Sequence, residues 1–378
     1  MLTSLKLTVA SLSVLIVLVL ACTLAQVQLG TLGAVTVYIH SFWVWWKPAG
    51  WEQSIPLMPG GALVGAVLVV NLVAAQIKRM ELSWKKSGMW VTHAGLVLLI
   101  AGEFVTGAFQ RETQMTIEEG QTVNYVESPR ELELSLIDLT DPGHDEVYGV
   151  PEALLKAGST VAIPGTPLSL KVKHFVRNAD LADRAPAEPP TMADMGVGPH
   201  VKVTEVPAIT RDDEMNRTVV FVEPIADGKS YGTWLVSNAV SVPQEFTHQG
   251  RIYSLGMRQR REYLAYDVTL RDFRHDVYPG TQIPKNFASL VHLSTPDKKE
   301  DRDVLIYMNQ PMRFGGKAFY QSSFGKEDTL SVLQVVDNPG WLLPYISCTL
   351  VSLGLLIHFA LSLRRTQKGR SLAVEGSP

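Results

Sequence analysis

The chain has 378 residues, is 46% hydrophobic and carries a formal net charge of −3. So apolar a composition does not suit an ordinary soluble domain, yet the middle of the chain is polar, so the average covers two unlike parts. With no basic excess, nucleic acid is not an expected partner.

Four runs, residues 7–29, 59–77, 88–108 and 342–363, reach the ~20 apolar residues that a bilayer core requires. The first has one flanking cation, Lys6, and outruns the roughly 7–15 residues of a signal-peptide core, so an uncleaved anchor is expected. Residues 31–58 carry Trp43, Trp45, Trp46 and Trp51. Tryptophan enriches at the membrane–water interface, so an outer interfacial segment is expected there, with an aromatic shelf for a flat cofactor as the functional alternative. His40 could join such a site or simply be solvated. The second run opens on Pro59 and holds Gly61 and Gly65 with Ala62 and Ala66, a small-residue spacing that lets helices approach closely.

Between the second and third runs lie Lys78, Arg79, Lys85 and Lys86; after the fourth come Arg364, Arg365, Lys368 and Arg370. By the positive-inside rule both termini and the short loop are cytoplasmic, and the long segment lies outside. The organisation expected is three transmembrane helices with an outer Trp-rich loop over 1–108, an extracytoplasmic β-rich domain over 109–341, a fourth helix over 342–363 and a cytoplasmic tail over 364–378. The fold class is thus an integral membrane bundle of four helices plus a large all-β, sandwich-like domain between helices 3 and 4.

That outer segment shows short alternating runs near 132–136, 168–172, 218–222, 266–270 and 304–308, split by Pro, Gly, Asp and Asn. A sandwich or open barrel fits them, with a long proline-containing loop over 179–198. Both cysteines, Cys22 and Cys348, fall in apolar runs, so the outer segment has neither a disulfide framework nor a Cys-x-x-Cys pair. The chain also lacks Cys-x-x-Cys-His and is not itself a c-type cytochrome.

Ionisable groups within apolar spans are costly and usually have a partner and a role. His93 lies in the third span and His358 in the fourth; neutral imidazole is the commonest protein metal ligand, so a membrane site for a metal-bearing cofactor is the leading expectation. Counted from Lys86 and Arg364, both sit about 9–11 Å inward from the cationic rim. They could grip one iron axially or serve separate sites. Asn71, at about the same level, could hydrogen-bond a ligating imidazole. Interhelical hydrogen bonding is the structural alternative for all three. Glu103 lies about 80° around the helix and about 15 Å along it from His93, so a separate, snorkelling role is expected.

In the outer segment Arg258, Arg260 and Arg261 precede an alternating strand, with Arg271, Arg274 and His275 beyond. Arginines pair well with carboxylates, including propionates, although a solvated strand face also accounts for them. His144, His174, His200, His248 and His292 lack ligand-like spacing, and no hydrolase triad, phosphate loop or zinc-protease motif occurs.

Several blocks resemble a known family. They are Ser4-Leu5-Lys6-Leu7-Thr8-Val9, Thr92-His93-Ala94-Gly95-Leu96, Asn286-Phe287-Ala288-Ser289, Met308-Asn309-Gln310-Pro311-Met312, Phe319-Tyr320-Gln321-Ser322-Ser323-Phe324 and Asp337-Asn338-Pro339-Gly340. Together with the layout of three spans, a large outer domain and a fourth span, they resemble the ResB (also CcsB) proteins of system II cytochrome c biogenesis. The resemblance implies a haem-handling subunit of a system II cytochrome c synthase in the bacterial inner (cytoplasmic) membrane. It would help haem transport for covalent attachment to apocytochrome c.

The implied partner is a ResC/CcsA-type tryptophan-motif membrane protein, with a thiol-reducing thioredoxin-like protein as a further candidate. The implied cofactor is haem b, transported or transiently bound, with His93 matching the family's third-span histidine. His358 as a second iron ligand rests on depth alone. Trp43, Trp45 and Trp46 do not reproduce the partner's motif, which needs a glycine and an aspartate absent here. The chain would be at most a subunit of a haem lyase, with no nucleophile of its own. Two other readings stay open: a non-haem-binding scaffold for that partner, and a membrane b-type cytochrome with His93 and His358 as an axial pair.

Overall fold

The computed structural model describes residues 3–375 apart from 49, 52, 80–82, 210–213, 282–283 and 326–327. The side chains of Arg79, Lys368 and Arg370, counted above among the rim cations, lie outside the described residues. Two compact units result, residues 1–111 with 337–378 and residues 112–209 with 213–336.

The first unit holds four helices long and apolar enough to cross a membrane: α1 (Leu5–Tyr38), α2 (Gly61–Arg79), α3 (Ser87–Phe109) and α4 (Leu343–Glu375). Two of them differ from expectation. The fourth does not end at 363 but runs on through the cationic tail, since charged residues are good helix formers once the apolar run ends. The first is broken at Gly30, whose φ of 71° and ψ of 171° are not helical.

The break reverses the chain. Buried Asn71 on α2 accepts a hydrogen bond from the Thr8 hydroxyl at 2.6 Å and donates to the Ser4 carbonyl at 3.3 Å. Ten residues outward from Asn71 is Gly61, and ten outward from Thr8 is Leu18, so both lie about 15 Å from that bond. Leu18 and Val64 share one apolar cluster, as this alignment requires. A Cβ on Gly61 would come within 2.6 Å of the Ile39 carbonyl oxygen, so Ile39 also stands at the level of Leu18. The chain therefore climbs from Leu18 to Leu29 and returns over 31–38. Positive φ at the turn is cheap for glycine alone.

After the return, Trp43–Trp46 pairs antiparallel with Ile55–Pro59. The expected interfacial segment is thus a hairpin, with Val44 buried and Trp43, Trp45 and Trp46 exposed.

α3 and α4 meet along a seam of small residues. A Cβ on Gly95 would lie 2.8 Å from a Val351 methyl and 2.9 Å from its backbone nitrogen. One on Gly102 would lie 2.9 Å from Leu343 Cβ, while one on Gly88 would strike the backbone of His358 and one on Gly354 that of Thr92. The seven-residue spacing of Gly88, Gly95 and Gly102 keeps one face toward the partner helix. Asn338 secures the far end: its Oδ1 accepts from the Gly340 N–H at 2.8 Å and its Nδ2 donates to Gln110 at 3.2 Å.

The second unit is all-β, and two long strands, Thr122–Asp138 and Arg251–Val277, serve two cores. Their paired halves around Leu132–Asp138 and Tyr253–Gln259 face a second sheet containing Leu168–Val176 and Val219–Ala226. Leu134, Leu136, Leu170, Val220, Val222 and Leu255 fill this sandwich.

The other halves belong to a sheet ordered Asp301–Tyr307, Pro284–Ser294, Arg251–Val277, Thr122–Asp138, Arg111–Glu118, Leu330–Asp337, Lys317–Gly325, Met312–Phe314. All eight strands send residues into one core, among them Ile117, Val126, Val268, Val291, Ile306, Met312, Phe319 and Leu333, so this sheet curls as an open barrel. Sandwich and open barrel, weighed as alternatives from the sequence, are both present on shared strands.

The expected loop over 179–198 is shorter than the sequence suggests. Ala179–Asp183 is a strand paired with Val201–Glu205, an acidic stretch ordered by a partner well downstream rather than by its own propensity.

Candidate functional site

His93 is half-buried on α3. Its Nδ1 lies 2.8 Å from the Met89 carbonyl oxygen, one turn back on the same helix. A carbonyl only accepts, so Nδ1 carries the hydrogen and donates, and in the neutral ring Nε2 presents a bare lone pair. This is the arrangement that orients a metal-ligating histidine: one nitrogen fixed by a backbone oxygen, the other left for the metal.

The glycine seam shows which way the ring faces. Thr92 lies against Gly354, and one residue further turns the helix about 100°, carrying His93 out of the α3–α4 contact. Phe104 is eleven residues on, within about 20° of the same face. Its ring lies 3.9 Å from where a Gly65 Cβ would stand, so the His93 face of α3 is the one turned toward α2.

The other predicted residues are not gathered around His93. Asn71 bonds to Thr8 and Ser4 of the first helix and its cap, an interhelical bond of the kind set against the ligand-supporting role. His358 is exposed, its ring edge-on to Phe359 at 6.0 Å.

The matched depth inferred for His93 and His358 does not hold. Gly88 stands opposite the His358 backbone, and His93 is five residues, about 7.5 Å, further along α3. The reason is a long side chain: Arg365 reaches back to donate to the Lys85 carbonyl at 2.8 Å, so counting from the charges misjudges the backbone level. That same bond brings the two cationic groups to one end of the helical unit. Glu103 and His40 are exposed, away from the seam.

In the β unit the arginine run is already paired across the shared strands. Arg258 meets Glu133 at 2.9 Å, Arg260 meets Glu131 at 2.6 Å and Arg261 meets Glu127 at 2.8 Å. Arg261 also lies 4.0 Å from the centre of the Tyr125 ring. Burial works against the Arg261 charge, but Glu127 and Tyr125 outweigh it and raise its pKa above the usual guanidinium value. These side chains hold the strands in register rather than waiting for a ligand.

Sequence reasoning noted His275 only as the end of the arginine-rich stretch, with no site of its own. Its ring stacks on Phe287 at 4.8 Å and meets Phe324 at 4.5 Å, with Nδ1 3.1 Å from Asp328. Its Nε2 is buried and, among the described residues, has no hydrogen-bond partner. Nothing in the linear sequence marks this cage, because the His275 ring and its two phenylalanine walls come from three separate strands.

Comparison with known proteins places one part of the chain. Residues 232–332 match the model of the ResB-like family. Over 93 residues the chain is 31% identical to Protein NrfI of Wolinella succinogenes, a match covering 25% of this chain and 10% of that protein. The chain thus spans about a tenth of that relative's length. A solved structure, Cytochrome c Heme Lyase CcmF, aligns over 92% of this chain and 34% of its own at 9% identity, with a TM-score of 0.22, which carries no argument about the fold. The matched segment runs through most strands of the open barrel. Asn71, His93 and His358 lie outside it.

Proposed function

We propose that this chain, whose residues 232–332 match the ResB-like family model, works in cytochrome c biogenesis as a membrane subunit that handles haem on its way to apocytochrome c. The observation carrying this reading is the Nδ1 bond of His93 to the Met89 carbonyl, which leaves Nε2 for iron within an apolar span. Haem is cargo here. His93 would supply one axial ligand, and a ResC/CcsA-type partner would supply the second ligand and close the open face. By the positive-inside rule the cations gathered at one end of the helices would face the cytoplasm and the β unit would lie outside, where apocytochrome would be met. A bis-histidine electron carrier is less well supported, since His93 stands about 7.5 Å along the axis from the level of His358.

The test is the haem content of the purified complex with its partner, measured as the pyridine haemochrome. His93→Ala is expected to lower haem at least tenfold, and His93→Gly to recover it when imidazole is added. Full haem content and full cytochrome c maturation in His93→Ala would overturn the reading and leave the chain a scaffold.

A further inference from the structure

A cleft of about 680 Å³ opens in the β unit beside the shared strands, within the size range of small-molecule sites. Its apolar lining includes Leu132, Leu155 and Phe175, of which Leu132 and Leu155 belong to the buried core. Its charge is one-sided: Arg130, Lys156, Arg177 and Arg260 face it, against the carboxylates of Glu131 and Glu152. In a chain of net charge −3, the cleft therefore holds two cations in excess.

Those cations are not equivalent. Arg260 and Glu131 neutralise each other at 2.6 Å. Lys156 and Arg177 are exposed and, among the described residues, make no ion pair. They come from different elements, Lys156 following the short turn Glu152–Leu154 and Arg177 following the strand Leu168–Val176. Two unpaired cations in a cleft whose lining is otherwise largely apolar complement a ligand with an apolar body and two carboxylates. Arginine forks and lysine ammonium groups both bind carboxylate well.

We propose that this cleft binds an apolar-bodied dicarboxylate through Lys156 and Arg177, the ligand being the propionate-bearing porphyrin of the haem cargo. The identity of the ligand rests on the function proposed above; the charge and shape of the cleft do not. It would serve as a holding point in the β unit that needs no iron ligand, since the grip is on the carboxylates. Of the arginine run singled out in the sequence only Arg260 lines the cleft, already paired with Glu131, which leaves the grip to residues outside the run.

The experiment uses the full chain in detergent and two iron-free probes, protoporphyrin IX and its dimethyl ester, followed by fluorescence. The ester keeps the apolar body and loses both charges, so micelle partition and non-specific burial are common to the two probes. The free acid is expected to bind at least tenfold more tightly than the ester. In the double variant Lys156→Gln/Arg177→Gln that preference is expected to vanish, whereas Lys156→Arg/Arg177→Lys should retain it. Equal affinity for acid and ester in the unaltered chain, or an undiminished preference in the glutamine variant, would overturn the proposal. Because the probes carry no iron, the preference should persist in His93→Ala; losing it there would also overturn the proposal, by placing the porphyrin at the imidazole. The haem content of the His93→Ala complex is a separate reading and decides only the function proposed above.

Discussion

Helices α3 and α4 touch through glycine, whereas the shared strands of the β unit are joined by three arginine–glutamate pairs. The difference follows from the surroundings of each. Long apolar helices carry few charged groups to pair, so close backbone packing supplies their contact. In the β unit, long side chains can lie along the strands with their charges satisfied at the sheet surface, and register is fixed by which arginine meets which glutamate. The α1–α2 pair stands between these cases, with a single buried amide bridging the helices at Asn71.

The largest effect is expected where a charge would be stranded. Glu133 is 8% exposed and Arg258 18%, so Glu133→Ala should cost about 3–5 kcal/mol by leaving a guanidinium uncompensated. Chemical denaturation followed by near-ultraviolet circular dichroism reads this, and Glu133→Ala/Arg258→Met should regain most of the loss. If the single and double variants were equally unstable, the pair would not be what holds the strands.

A somewhat smaller loss, about 3 kcal/mol, is expected for Gly88→Leu, because the added atoms meet the backbone of α4 and cannot be relieved by a rotamer change. Thermal unfolding in detergent, together with loss of a disulfide cross-link engineered between α3 and α4, would check it. An unchanged melting temperature would remove the glycine seam from the comparison.

Asn71→Ala should cost least, about 1 kcal/mol, in line with single hydrogen bonds between membrane helices. A double-mutant cycle with Thr8→Val isolates the bond, and a coupling energy near zero would show that α1 and α2 are held by Leu18 and Val64 instead.

The blocks that carried the family resemblance prove to be largely structural. Phe319 is a barrel core residue, Phe287 and Phe324 wall the His275 ring, and Asn338 ties α3 to the start of α4. Buried Ser289 and Ser331 hydrogen-bond each other, and Ser289 donates to half-buried Gln321. The glycine seam is legible in principle as a seven-residue spacing, but the four-residue small-residue pattern on α2 is the more conspicuous of the two. In the structure that pattern meets Ile39 and Phe104 rather than a long helix seam. His93 was visible because a polar ring in an apolar run is conspicuous without any knowledge of its neighbours.

Hydropathy, charge placement and strand alternation are local properties, and from them the sequence by itself determined four long apolar helices, two cationic groups flanking them and a β-rich insertion. The tertiary structure alone decided that the chain folds back at Gly30, that His93 and His358 lie at different levels, and that Arg258 meets a glutamate 125 residues away. These depend on helix rotation and strand register. Both are set by contacts between distant segments, and a shift of one residue changes every partner while leaving the sequence pattern untouched.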